Sequence, residues 1–156
     1  MKIARVHIEN YRSIKQLDFS PNNYCALIGE NNAGKSNILK AVNLVLGEIW
    51  PTDRTFTEED FNDYNTENDI VIQIYFDSPI DEWRNNCKCE VAGFELRGKA
   101  YKRRVKSKPA GTLVVDFVCI DKRGKPCQYP ATPYKEGERY TGQYYHHCHQ
   151  FCIAEL

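Results

Sequence analysis

Gly29-Glu30-Asn31-Asn32-Ala33-Gly34-Lys35-Ser36 fits the spacing G-x-x-x-x-G-K-[ST]. Each position in that spacing has a part in holding a polyphosphate. The glycines allow backbone angles that turn successive N–H groups inward, which makes an anion-binding nest. A helix opening near Lys35 adds its positive dipole end and its unpaired N–H groups. The Lys35 ammonium reaches β- and γ-phosphates, and the Ser36 hydroxyl is a ligand for Mg²⁺. The expected ligand is a purine nucleoside triphosphate, with ATP and Mg²⁺ first in line. Gly29, Asn31, Asn32, Ala33, Gly34, Lys35, Ser36 and the adjoining Asn37 are the expected phosphate-binding residues. The bland alternative is a glycine-rich turn that only caps a helix.

The elements around the loop have the order that such a site needs. Residues 4–9 alternate, with Ala4, Val6 and Ile8 on one face and Arg5, His7 and Glu9 on the other, which predicts a half-buried strand. Asn10-Tyr11-Arg12-Ser13 breaks the alternation, and Leu17 and Phe19 predict a short second strand. Tyr24-Cys25-Ala26-Leu27-Ile28 is a continuous apolar run, expected to be a strand covered on both faces. Ile38, Leu39, Val42, Val45 and Leu46 recur at helical spacing, and Gly47 is placed to stop that helix. The loop therefore sits between an apolar strand and an amphipathic helix.

Beyond the helix, residues 50–69 are irregular and acidic, and Thr57 is placed to cap a short helix with Asp60 three residues on. Ile70 to Phe76 is the clearest strand, with Ile70, Ile72, Ile74 and Phe76 on one face. A short segment around Trp83 follows. Phe94–Val105 and Thr112–Ile120 are both strand-like. Asp121-Lys122-Arg123-Gly124 predicts a hairpin turn into a short strand near Cys127–Tyr129. The first third thus reads as α/β (1–50), residues 70–130 as an antiparallel β meander, and 131–156 as a weakly patterned tail rich in Tyr, His and Gly. The tail does not look like the natural close of a domain, so an incomplete domain is the expectation.

The chain has 156 residues, and its 21 basic and 21 acidic residues cancel. Bulk charge announces neither a nucleic acid nor a membrane, so any such contact needs a local patch. No apolar run is long enough to span a bilayer, and no segment has signal-peptide form. Seven cysteines cannot all pair within one chain, so a cytoplasmic protein with free thiols is expected.

Four further constellations carry less. Thr112-Leu113-Val114-Val115-Asp116-Phe117 imitates an apolar strand ending in a magnesium-binding acid, but no glutamate follows and the apolar pattern runs past the acid. Asp116 is therefore expected mid-strand on a solvated face. Lys99, Lys102, Arg103, Arg104, Lys106 and Lys108 form a basic cluster that suits DNA phosphates, or else the solvated face of an edge strand. Cys87-Lys88-Cys89 and His146-His147-Cys148-His149 with Cys152 invite zinc, but the spacing is weak. Gln143 and Gln150 are candidates by position alone for a glutamine that touches Mg²⁺ or water.

Lys2 to Gly47, with its strand ending in Asn10-Tyr11-Arg12-Ser13 and its loop running into Asn37-Ile38-Leu39, resembles the N-terminus of the ABC-type ATPase heads of RecF, SMC and OLD (overcoming lysogenization defect) proteins. Glu59-Asp60-Phe61 followed by the strand Ile70–Phe76 looks most like OLD-family ATP-dependent nucleases. The resemblance covers about the first half of the chain. It implies lobe I of an ABC-type ATPase head, a P-loop NTPase fold with a Walker A loop, across residues 1–156. It implies ATP and Mg²⁺ as cofactors, with Arg12 approaching the nucleotide phosphates. It implies a homodimer of heads sandwiching two nucleotides, DNA as a partner of the complete protein, and an endonuclease role in DNA repair, metabolism or phage defence. No signature loop, no convincing Walker B and no nuclease carboxylate cluster is found in these residues. Negligible hydrolysis by this chain is therefore expected. A non-enzymatic nucleotide-dependent interaction module is the competing reading. A transporter subunit fits less well, because the strand-end motif belongs to the DNA-repair-type heads.

Overall fold

The computed structural model describes residues 2–22, 25–30, 34–49, 51–84 and 87–127. Five strands form one sheet: β1 (Ile3–Tyr11), β2 (Ile14–Phe19), β3 (Ile70–Arg84), β4 (Cys87–Ala100) and β5 (Leu113–Ile120). Their order across the sheet is β2-β1-β3-β4-β5, and every pairing is antiparallel. One α-helix, α1 (Lys35–Leu46), packs on the sheet against β1, β3 and β4.

Alternation in the sequence becomes a two-faced sheet because strand side chains point to opposite sides in turn. One apolar row crosses all five strands through Leu17, Ile8, Ile72, Leu96 and Phe117. A second runs through Phe19, Val6, Ile74, Phe94 and Cys119. Ile8, Ile72, Ile74 and Leu96 are fully buried, and each such side chain contributes about 1.5–3 kcal/mol relative to exposure. Helix α1 lays Ala41 and Val45 on this face, with Ile38 and Val42 beside them. The opposite face is polar, and cross-strand partners answer its charges. Arg5 pairs with Asp18, His7 Nδ1 lies 2.9 Å from Asp18 Oδ2, and Lys99 pairs with Asp116; along β4 itself, Arg97 donates to Glu95 at 3.0 Å. Hydrogen bonding from Arg5 holds the Asp18 carboxyl well below its usual range, at about 2.

Several expectations change. Cys25 to Ile28 carries no strand, and Ile28 is 93% exposed. A strand covered on both faces needs neighbours to satisfy its amides. Here β1 is already flanked by β2 and β3, and no described strand lies alongside residues 25–28. With that strand missing, the described sheet is wholly antiparallel rather than the expected α/β arrangement. The segment around Trp83 is not a break. It lies in β3, which pairs with β4 from Ile80↔Val91 to Arg84↔Cys87 after a register shift beyond Tyr75. Pro79, with no N–H to give a ladder, sits in that irregular stretch. Strand β4 stops at Ala100 instead of reaching Val105, because residues 101–112 fold into a loop with its own hydrogen bonds. The hairpin turn at Asp121 is present, with Asp121 N–H donating to Lys125 at 2.8 Å and Cys127 N–H to Cys119 at 2.8 Å. The rest of the expected short strand, and the tail with Gln143, Gln150 and the histidine cluster, lie outside the described residues.

Candidate nucleotide site

Helix α1 begins at Lys35 behind Gly34, whose φ of 84° and ψ of 0° are left-handed. Two features demand glycine there. The conformation is costly for other residues, and a Cβ would come within 2.9 Å of Ser13 Oγ. Ser13 in turn accepts a hydrogen bond from Asn37 Nδ2 at 2.9 Å. The turn after β1 is therefore pressed against the first turn of α1, although 24 residues separate Ser13 and Asn37.

The head of the helix leaves its first donors unanswered. No side chain caps it, and no acidic residue lies in its first turn. The first N–H groups of a helix have no intrahelical acceptor. Gly34 O accepts from Asn37 and Ile38 at 2.9 and 3.2 Å, so the amides of Lys35 and Ser36 stand ahead of the first helical bonds. The Lys35 side chain curls back over the loop and donates to Gly29 O at 2.7 Å and Glu30 O at 2.5 Å. Carbonyl oxygens are weak partners for an ammonium compared with a phosphate oxygen. Lys35 is thus held in place by contacts that a polyphosphate would exchange for better ones. Ser36 is exposed, so its hydroxyl is open to a ligand. These residues fit a triphosphate with its cation. Asn31, Asn32 and Ala33, the middle of the loop, lie outside the described residues.

Arg12 stands beside this head, one residue before Ser13, in a left-handed conformation with φ of 50°. Its backbone N–H donates to Asp60 O at 2.7 Å, and its Nε donates to Asp60 Oδ1 at 2.8 Å. Asn62 Nδ2 donates to Arg12 O at 2.6 Å. Asp60 is the one buried charged residue among those described. Its other oxygen accepts from Thr57 N–H at 2.9 Å and Thr57 Oγ1 at 3.1 Å. Thr57 and Asp60 thus frame the short helix Glu58–Asp60 as the sequence predicts. What the sequence does not announce is the second task of Asp60, which fixes Arg12 across 48 residues. The signal was there in the pattern Glu59-Asp60-Phe61: Phe61 is buried and bridges to Tyr11, and that pairing carries Asp60 to Arg12. Phe56 helps by packing over Gly98, where a Cβ would meet its ring at 2.5 Å.

Asp116 is mid-strand in β5 opposite Arg97 and paired with Lys99, as expected of a structural acid. Among the described residues no group of three or more His, Cys, Asp or Glu side chains could hold a metal. No helix among them is long and apolar enough to cross a membrane. Cys25 is an exposed free thiol. The side chains of Cys87 and Cys89 lie outside the described set.

Comparison with known families makes this an ATPase domain. The family model described as "AAA ATPase domain" matches residues 1–140, and the chain belongs to that family. A named relative sharpens this. The chain is 35% identical over 102 residues, 60% of its length, to the OLD nuclease of Thermus scotoductus (strain ATCC 700910 / SA-01). The two findings support an ATPase of OLD type, as the resemblance implied. The matched stretch spans 19% of that relative's length.

Proposed function

We propose that this chain binds ATP with Mg²⁺ as the nucleotide-binding part of lobe I of an OLD-type, ABC-like ATPase head. The observation that carries the reading is the Lys35 ammonium folded over Gly29 and Glu30 beside an uncapped helix. In this reading the amides of Gly29, Asn31, Asn32, Ala33, Gly34, Lys35 and Ser36 line the phosphates, and Asn37 braces the helix against Ser13. Lys35 leaves the loop carbonyls for β- and γ-phosphate oxygens. Ser36 offers its hydroxyl to Mg²⁺, which when bound neutralises phosphate charge. Arg12, steered by Asp60 through Nε, keeps its terminal nitrogens directed at the phosphates.

In the complete protein, pairing of two heads finishes the site, and the function is DNA cleavage in cytoplasmic DNA repair, metabolism or defence. The name of the Thermus relative supports the nuclease half of that statement. A second reading, a nucleotide-dependent interaction module, draws on one observation: Asp116, the best candidate for a catalytic-end acid, is committed to Lys99. Both readings expect this chain to bind nucleotide and to turn it over negligibly. A change of oligomeric state with ATP unconsumed favours the module.

Calorimetric titration of the chain with Mg-ATP tests the proposal. Binding is expected, and Lys35→Ala weakens it about 10- to 150-fold, the range for losing a hydrogen bond to a charged group. Equal affinity in the two proteins defeats the reading.

A further inference from the structure

We propose that the loop between β4 and β5 is a contact for the phosphate backbone of duplex DNA. The inference deepens the DNA-directed part of the reading above. Six cations and no acid lie between Lys99 and Val115 in a chain whose net charge is zero. The structure sorts these cations into two groups. Lys99 at the end of β4 pairs with Asp116, and Lys108 donates to Asp53 at 2.9 Å. Lys102, Arg103, Arg104 and Lys106 are exposed, and among the described residues no carboxylate pairs with them.

An edge strand bearing lysines against aggregation would explain such a run without a ligand. The topology removes that explanation. Strand β4 is interior, flanked by β3 and β5, and the four unanswered cations lie beyond its end at Ala100.

The loop is shaped rather than slack. Val105 and Lys108 exchange backbone hydrogen bonds of 3.0 Å each around a left-handed Lys106. Tyr101 N–H donates to Thr112 O at 3.0 Å, and Gly111 N–H donates to Tyr101 O at 2.8 Å. The Lys108–Asp53 pair ties the tip to the segment before Phe56. A backbone already ordered leaves only side-chain freedom to be lost on binding. Antiparallel pairing brings the end of β4 and the start of β5 to the same end of the sheet as Tyr11, next to Arg12. Lys102 also borders a polar groove of about 770 Å³ whose lining holds Glu9, Asp63, Glu67 and Asp69 beside Lys15 and Arg97, so the phosphate contact is placed on the outer loop and not in that groove.

The occupant follows from the charge pattern. Four clustered cations with little apolar surface gain little from an acidic protein face, where exposed ion pairs are worth little. Duplex DNA instead releases condensed counterions for every phosphate neutralised, and this term needs no sequence reading.

The test is fluorescence anisotropy of the full 156-residue chain with a labelled 30-base-pair duplex over a salt series. Four phosphate contacts predict a slope of about −3.6 in log K against log salt, hence roughly a 100-fold loss between 50 and 200 mM. The variant K102A/R103A/R104A/K106A should abolish measurable binding. Lys122→Ala with Lys125→Ala, in the other basic turn, should leave the slope unchanged. Circular dichroism and Mg-ATP titration show whether the quadruple variant keeps its fold and nucleotide site. Unchanged DNA affinity and slope in that variant overturn the inference. So does equal competition by polyglutamate of matched charge, which would mark an acidic protein partner. In the unaltered chain, DNA binding with no binding of Mg-ATP would sink the nucleotide reading alone.

Discussion

The head of α1 and the polar face of the sheet use the same kinds of side chain to opposite ends. On the sheet, Arg5 answers Asp18 and Lys99 answers Asp116 across neighbouring strands, and Arg97 answers Glu95 along β4. At the helix head, donors stand without matching charge: no cap, no first-turn acid, and a lysine resting on carbonyl oxygens. Exposed pairs of the first kind contribute little to stability and leave nothing over for a ligand. Donors of the second kind are left available to a ligand, as the proposed nucleotide site requires. Arg12 lies between the two cases, since Asp60 takes its Nε while the guanidinium stands over the Tyr11 ring at 5.5 Å.

If this division is right, substitutions at the head should hurt binding and those on the sheet should not. With Lys35 kept in place, the largest effect on nucleotide affinity is expected for Gly34→Ala. It forces a Cβ into the left-handed conformation and against Ser13 Oγ, and the strain costs about 1–2 kcal/mol. Nucleotide affinity should fall at least tenfold, with a lower denaturation midpoint read in the same preparation. Asp60→Asn comes next. It removes a buried charge-assisted bond to Arg12, which costs about 1.5–3 kcal/mol. Urea unfolding should show this loss, and Mg-ATP titration should show a several-fold weakening that Thr57→Ala does not reproduce. A weakening of equal size in both variants would mean that Asp60 serves the short helix alone.

Asp18→Asn is the smallest, and it should leave nucleotide affinity unchanged. Asp18 has its folded pKa lowered from 3.8 to about 2 by Arg5. Its contribution is therefore fully present above pH 3.8 and is lost as pH falls toward 2. Acid unfolding followed by circular dichroism should show that part of the pH dependence removed in the variant and retained in the parent.

The same division explains what could be read from the residues beforehand. Strand β1 and the first half of β3 were legible because Val6, Ile8, Ile72 and Ile74 alternate without interruption. The expectation of a phosphate loop rests on local chemistry, since Gly34, Lys35 and Ser36 are neighbours in sequence. The run from Cys25 to Ile28 misled because an apolar stretch states that it wants covering, not which strand supplies it. The continuation of β3 past Pro79 was hidden by an irregularity that breaks alternation. The Arg12–Asp60 pair was hidden because a contact over 48 residues depends on how Phe61 meets Tyr11. Likewise, the unanswered cations at 102–106 could be told from the answered ones at 99 and 108 only once Asp116 and Asp53 had positions.

The central claim is that the amides at the head of α1 close on a triphosphate, and amide-resolved NMR during a Mg-ATP titration addresses it most directly. The largest shifts are expected on the backbone N–H groups of Gly34, Lys35 and Ser36, with Arg12 and Ser13 following and the polar sheet face unmoved. Saturating nucleotide that leaves those amides in place, or moves others instead, contradicts that claim.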